Sequence, residues 1–332
     1  MKKRGLLIVV LAVAIGSFLF AGGSSDSPNK EYRLAHTAAD GSHFDLIAEK
    51  FVETLGDLSD GRLVGTVYPA EQLGKESQVI QSVQNGVIEF TIIGHDPLAQ
   101  FVPSTALLSL PFLFDSHEDA FKVLDSSVGE ELERQLMEKK LHILGWSNNG
   151  ARVYTNNVRP LEEPDDFIGL KMRSPESPVN LAVTEALGGI PSALPYGEVY
   201  TALQQKTIDG QENAVINIYP SKLYEVQKYM SMTNHILSFV VIVVSQDFYT
   251  SLSPEDQALV EQAAEEACLW HRSYVDDLTL ELTQKMIEEG VAVNYPENMD
   301  AFKEATRSIH DQFVGTDIDP ALYEKTLEIL AE

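Results

Sequence analysis

A chain of 332 residues with 50 acidic and 24 basic side chains carries a formal charge of −26, which argues against nucleic acid and anionic membrane surfaces as partners. Its 44% hydrophobic and 22% charged residues are those of a folded globular protein, not a disordered one, and the length fits two compact domains. A single cysteine, Cys268, excludes an internal disulfide, so stability must come from the core, in which Cys268 reads as a small buried hydrophobe.

The first 23 residues, MKKRGLLIVVLAVAIGSFLFAGG, set Lys2, Lys3 and Arg4 before an apolar run from Leu6 to Phe20 that ends in small residues. This is the pattern of a secretory signal, with cleavage expected near Ala21 to Gly23. An uncleaved anchor is the alternative, since the run is near the lower limit for a span. No cysteine follows LFAG to accept a lipid. Removing the segment takes away three positive charges and no negative ones, which leaves the chain near −29. Residues 24–30, SSDSPNK, read as a flexible leader.

YRLAHT (32–37) reads as a strand, and SHFDLIAEKFVETLGDLS (42–59) places apolar residues at helical spacing. LVGTVYP (63–69) is a second strand, KESQVIQSVQNG (75–86) a helix closed by Asn85-Gly86, and VIEFTII (87–93) a third strand. This β-α-β-α-β order predicts parallel strands with helices on the sheet faces. Beyond PSTALLSLPFLFDS, Glu118 to Lys140 is expected as one long amphipathic helix and LHILGW (141–146) as a strand. A second alternating segment begins near Asn149, with GLKMR and IPSAL as strands and SPVNLAVTEALGG and YGEVYTALQQK as helices, which implies a second α/β lobe. ILSFVVIVVS (236–245) is too short to cross a bilayer and reads as a buried strand. The longest element is predicted from Pro254 to Gly290: Ser253 is a good N-cap, Pro254 suits the first turn, and Glu255 and Asp256 complement the dipole. At about 1.5 Å per residue it would be roughly 50 Å long, either one helix tying two lobes together or two helices with a bend.

The eight histidines are scattered, with no nucleophile elbow and no metal-ligand spacing. Neither a P-loop nor a dinucleotide fingerprint is present, so no cofactor or metal is expected. His36 stands out only because it ends the first strand, where parallel sheets present ligand residues. The arginines say more. GWSNNGARVYTNN (145–157) puts Arg152 at a Gly-marked turn, and GLKMRSP puts Arg173 at the end of a strand running into the protein. A guanidinium there is costly unless something negative meets it, either a carboxylate of the chain or one that arrives from outside. Its planar donor fork matches a carboxylate. YGEVYTALQQKTIDGQENA (196–214) then pairs a helix with a tight DGQEN turn, from which Asn213 offers an acceptor and donors.

These stretches, together with YPAEQLGKESQVIQSVQNGVIEF, SLPFLF and YEVQKYMSMTNHI, resemble the solute-binding subunits of tripartite ATP-independent periplasmic (TRAP) transporters over nearly all of the chain beyond the signal. The resemblance implies a two-lobe α/β periplasmic solute-binding fold with central β-sheets flanked by helices and a ligand cleft between the lobes. Lobe I would comprise 31–150 and 239–278, and lobe II 151–238 and 279–332, with the helix 254–290 along both. It implies an organic-acid ligand whose carboxylate is held mainly by Arg173, with Arg152 assisting, Asn213 in contact, Tyr196 lining the pocket, and His36 and Thr37 reaching in from the other lobe. It further implies a monomeric exported receptor that serves membrane subunits and is no enzyme. Sialic-acid-binding members carry a Glu and an Arg after the third strand, where this chain has Gly94 and Pro97. Glu176, three residues beyond Arg173, suits sugar hydroxyls and would repel the second carboxylate of a diacid. A uronate or aldonate is therefore expected ahead of a C4-dicarboxylate. A sensory binding protein would carry the same pocket, and an exported enzyme would need a nucleophile, a metal or an acid/base pair that the sequence does not display.

Overall fold

The computed structural model of the chain describes residues 29–332; the signal segment expected at 1–23 and the start of the leader lie outside them. The first part runs β1 (Lys30–Ala35), α1 (His43–Leu58), β2 (Leu63–Tyr68), α2 (Glu76–Gln84) and β3 (Phe90–Gly94), followed by α3 (His117–Leu124), α4 (Ser127–Glu138) and β4 (Leu141–Asn156). The second part runs β5 (Lys171–Ser174), α5 (Pro178–Ala186), β6 (Ile190–Ala193), α6 (Val199–Gln204), β7 (Gly210–Ala214), α7 (Val215–Ile218) and β8 (Tyr229–Ser231). Then come β9 (Leu237–Ser245), α8 (Gln246–Thr250), α9 (Pro254–Glu288), β10 (Ala292–Asn294), α10 (Met299–Thr306), α11 (Ser308–Phe313) and α12 (Pro320–Leu330).

The strands order as β2-β1-β3-β9-β4-β7-β5-β6, with β8 pairing β4 and β10. Each end of this path is parallel, as the alternation predicts: β1 pairs β2 and β3, and β5 pairs β6 and β7. The middle is antiparallel, because β9 pairs β3 and β4, and β4 pairs β7. β4 is the strand common to both halves. Its first part, from Leu141, lies along β9, and its last five residues, Arg152 to Asn156, lie along β7.

Three expected features fold differently. The helix expected from Glu118 to Lys140 is two helices, because Ser126 caps a new one: its Oγ accepts the Val128 N–H at 3.1 Å. The turn expected before Arg152 is an irregularity inside β4, between Asn148 and Ala151, with Gly150 at φ +79° supplying the left-handed residue that the bulge needs. The DGQEN segment turns only at its start, and Gln211 to Asn213 form the buried centre of β7. Polar residues in a central strand mimic a turn when read by composition alone.

α9 is one unbroken helix of 35 residues. Ser253 Oγ accepts the Asp256 N–H at 3.1 Å, as its position predicts. Val260, Ala263, Ala264, Ala267 and Cys268 pack into the core around α1, β3 and β9, while Val275, Leu282 and Met286 pack into the core around β7 and α7. One helix thus buries its first half against one core and its second half against another, which is the spanning arrangement expected. α11 packs on α5 and α12 packs on α3 and α4, so the C-terminal segment touches both halves rather than the second alone. Among the described residues no helix is long and apolar enough to cross a membrane.

Candidate functional site

The parallel strands of the two halves point their carboxyl ends at one shared cavity. Thr37 and Ala38 follow β1, Gly94 ends β3, Arg173 lies in β5, and Asn213 lies in β7; all line it, with Phe44, Glu76, Asp96, Asn149, Arg152, Tyr196 and Asn217.

Arg173 is 3% exposed. Its Nε donates to the Leu194 carbonyl at 2.9 Å, and among the described residues no carboxylate forms an ion pair with it. Burial, joined by the nearby Arg152 cation, pushes its pKa below the ordinary value against the raising effect of Glu212, Tyr196 and Glu76. Its guanidinium stands 5.9 Å from the Tyr196 ring centre. The Tyr196 hydroxyl is fixed elsewhere, donating to the Asn217 carbonyl at 2.9 Å and meeting Ser221 Oγ at 2.6 Å.

Arg152, equally buried, differs in every respect. Its Nε and Nη2 grip the Glu212 carboxylate, the second at 2.9 Å, and its Nη1 donates to Asp96 Oδ2 at 3.2 Å. Burial disfavours its charge, but Asp96 and Glu212 outweigh that and raise its pKa. Glu212 is held down to about 2, chiefly by Arg152 against the opposing effect of burial. Arg152 reaches the cavity wall, yet its donors are committed to the protein's own carboxylates. The paired arginines expected from the sequence are therefore one clamped cation and one unpaired cation.

The asparagines form a directed chain. Asn217 Nδ2 donates to Asn149 Oδ1 at 3.0 Å and to Asn213 Oδ1 at 3.1 Å, while Asn217 Oδ1 accepts from His43 Nε2 at 2.9 Å. His43 Nδ1 meets His271 Nε2 of α9 at 3.0 Å, and His271 Nδ1 meets Ser147 Oγ at 2.8 Å. Burial pushes His43 down to about 4. Asn213 Oδ1 also accepts the Ala214 N–H at 2.9 Å, which leaves its amide donors for the cavity.

Two expected residues sit elsewhere. His36 is buried beside the cavity rather than in its wall, with Nε2 3.0 Å from Asp45 Oδ1 at the start of α1; its neighbour Thr37 reaches the wall instead. Glu176 lies at the rim, where its Oε2 accepts from Ser77 Oγ at 3.3 Å and its carbonyl accepts from Gln100 Nε2 at 2.7 Å. A carboxyl that does line the cavity, beside the Arg152-bound Asp96, is that of the half-buried Glu76, whose Oε1 accepts the Gly94 N–H at 3.0 Å. Burial raises its pKa to about 7. Sequence reading missed Glu76, Asp96, Asn149 and Asn217; the sole signal was that Glu76, Asp96 and Asn217 come just after turns or strands that end at the cavity, while Asn149 sits at the irregularity inside β4.

Glu176 belongs to a clasp across the cavity mouth. Glu71 reaches from one half to the other and accepts the Gly197 N–H at 3.0 Å, and Lys75 pairs with Glu198. Ala70 and Glu71 both hold positive φ, +53° and +59°, to aim that carboxylate, an unusual backbone for such residues. A Cβ on residue 197 would overlap the Glu71 carboxylate.

The profile described as bacterial extracellular solute-binding protein, family 7, matches residues 34–317. The chain belongs to this family of TRAP solute-binding proteins. It is 32% identical over 315 residues to the 2,3-diketo-L-gulonate-binding periplasmic protein YiaO of Escherichia coli, covering 95% of each chain. Among solved structures, the sugar acid binding protein DctPAm of Advenella mimigardefordensis in complex with galactonate superposes with a TM-score of 0.88 at 30% identity, covering 91% of this chain and 98% of that one. A TRAP solute-binding protein of Chromohalobacter salexigens with bound D-glucuronate gives 0.86 at 30% identity, covering 90% and 99%. TRAP solute-binding proteins bind small acids between two α/β lobes and work with membrane permease subunits, the architecture expected from the sequence.

Proposed function

We propose that this chain is an exported receptor that binds a sugar acid, a uronate or aldonate, by its carboxylate at Arg173 and presents it to TRAP membrane subunits without chemically altering it. The observation that carries this is the Arg173 guanidinium, without an ion-pair partner among the described residues, in a cavity whose polar lining includes amides, hydroxyls and carboxyl groups. A carboxylate restores the missing partner, and closure around it excludes water and strengthens the pair. Asn213 donors and Glu76 suit hydroxyl groups further along the ligand. A C4-dicarboxylate fits less well, because Arg152 is already taken by Glu212 and Asp96 and no second free cation lines the cavity among the described residues. The bound galactonate and D-glucuronate of the similar structures support the sugar-acid class. In this reading residues 31–150 with 239–278 close against 151–238 with 279–332, a monomer exported by the segment 1–23.

The test is a thermal-shift and calorimetric panel of aldonates, uronates and C4-dicarboxylates on the chain lacking residues 1–23. A true ligand at 100 times its Kd should add about 2.7 kcal/mol of stability. A panel in which only the dicarboxylates shift the melting temperature overturns the reading, as does consumption of a bound sugar acid during long incubation.

A further inference from the structure

Resting on that sugar-acid reading, we propose that Glu76 is a specificity residue that works as a neutral carboxylic acid, and that ligand binding takes up one proton there. The first ground is placement. Glu76 is the carboxyl inside the cavity wall with no ion-pair partner: Oε1 is spent on the Gly94 N–H, and the second oxygen is left to meet a ligand. Ionised, that oxygen can only accept; protonated, it can donate to a ligand hydroxyl oxygen.

The second ground is a charge count. The cations at the cavity are Arg152 and Arg173, and Arg152 is already matched by both Glu212 and Asp96. Without ligand, Arg173 balances the excess of that cluster. The incoming carboxylate occupies Arg173 and makes the enclosed site net negative. A further ionised carboxylate would make it more so, in a place from which closure has removed water. Asp96 aggravates this, because its Oδ2 and Glu76 Oε1 both lie near Gly94, each within 4 Å of where a Cβ on that residue would stand.

The groups facing Glu76 act as follows. Asp96 and the rim Glu176 favour its proton, Arg173 opposes it, and the Gly94 N–H also opposes it. The first turn of α2 opposes it too, by the ordinary dipole effect. The ligand removes the opposition of Arg173 by neutralising it, so binding and protonation reinforce each other. The proton comes from bulk solvent and returns there when the ligand leaves.

Galactonate and D-glucuronate serve as probes, since their own carboxylates stay ionised between pH 5.5 and 8.5. For the wild type, Kd should rise with pH above neutrality, approaching about tenfold per pH unit for one linked proton. Calorimetry in two buffers of different ionisation enthalpy should register uptake of a proton at pH 8. Glu76→Gln keeps the donor and the shape, so it should bind within a few-fold of the wild-type value at pH 6 and show a flat profile. A flat wild-type profile, an unchanged profile in Glu76→Gln, or complete loss of binding in a folded Glu76→Gln protein each overturns the inference while leaving the sugar-acid reading in place. Failure of both probes and of other sugar acids to bind the wild type at any of these pH values overturns the reading and the inference together.

Discussion

Replacing Arg173 by Met separates a cation kept for a ligand from one kept for the fold, provided that Arg152→Met is made beside it. Both guanidiniums are 3% exposed, so burial alone assigns them the same importance. Their partners do not. Arg152→Met strands two buried carboxylates, Glu212 and Asp96, and breaking such a cluster costs about 3–5 kcal/mol of folding stability. Arg173→Met forfeits one bond, from Nε to the Leu194 carbonyl, and removes a charge that burial already disfavours. Its terminal nitrogens face the cavity, where water can solvate them, so the relief is small. Ligand-free stability should hold or rise by up to about 1 kcal/mol. Binding moves the opposite way. Losing the charge-assisted pair to the ligand carboxylate costs about 2–5 kcal/mol, or roughly 30-fold to several-thousand-fold in Kd. Urea melts of the ligand-free proteins and calorimetry with a sugar acid read the two quantities independently. If Arg173→Met destabilises the free protein as much as Arg152→Met, or binds within twofold of wild type, Arg173 is a structural cation and the argument fails.

Three further outcomes follow from other parts of the molecule. Gly197→Ala should collide with the Glu71 carboxylate, loosening the clasp without touching the cavity wall; stopped-flow measurement should find faster ligand release and a several-fold weaker Kd, and an unchanged release rate would show that the clasp is incidental. Burial lowers His43 to about 4, so folding excludes a proton that the unfolded chain binds; the stability this group contributes is intact above its ordinary pKa of 6.5 and is lost as pH falls from there toward about 4, which denaturant midpoints across that range should record. Burial raises the Cys268 thiol to about 12, so a thiol reagent should label it only as fast as the protein unfolds.

The alternation of strands and helices was legible because each element carries its own period, and α9 was legible because Ser253, Pro254 and the following acids spell a helix start. The site was legible in part. Arg173 stood out as a costly charge at a strand end, and that reasoning needs no tertiary information. Telling Arg152 from Arg173 did need it, since Glu212 lies 60 residues from Arg152 and Asp96 lies 56 away. The same limit explains Glu76 and Glu176. Both follow the recognised motifs closely in sequence, but which carboxyl faces the cavity depends on how two halves meet, and no local pattern encodes that. The polar run Gln211 to Asn213 looked like a turn because central strands are ordinarily apolar; here β7 carries polar residues to the cavity and to Arg152.

How the halves are held together bears on why a ligand is needed at all. The clasp at the mouth is built from exposed or half-exposed groups: Lys75 and Glu198 are 42% and 46% exposed, and such pairs are screened and contribute little. The firm connections lie deeper, where β4 and α9 run through both halves and where Asp96, Arg152 and Glu212 form a buried cluster in and behind the cavity wall. Strong joints in the interior and weak ones at the clasp would keep the register of the two halves while the clasp parts. In the proposed closure, a ligand shifts the balance between open and closed only by what it gains in the closed form over the open one. In the function proposed here Arg173 supplies that difference: water would satisfy it when the cleft is open, and a carboxylate would satisfy it when the cleft is shut. On the same proposal, the Glu71–Gly197 contact would form only on closure, which would offer a membrane partner a shape that reports an occupied site.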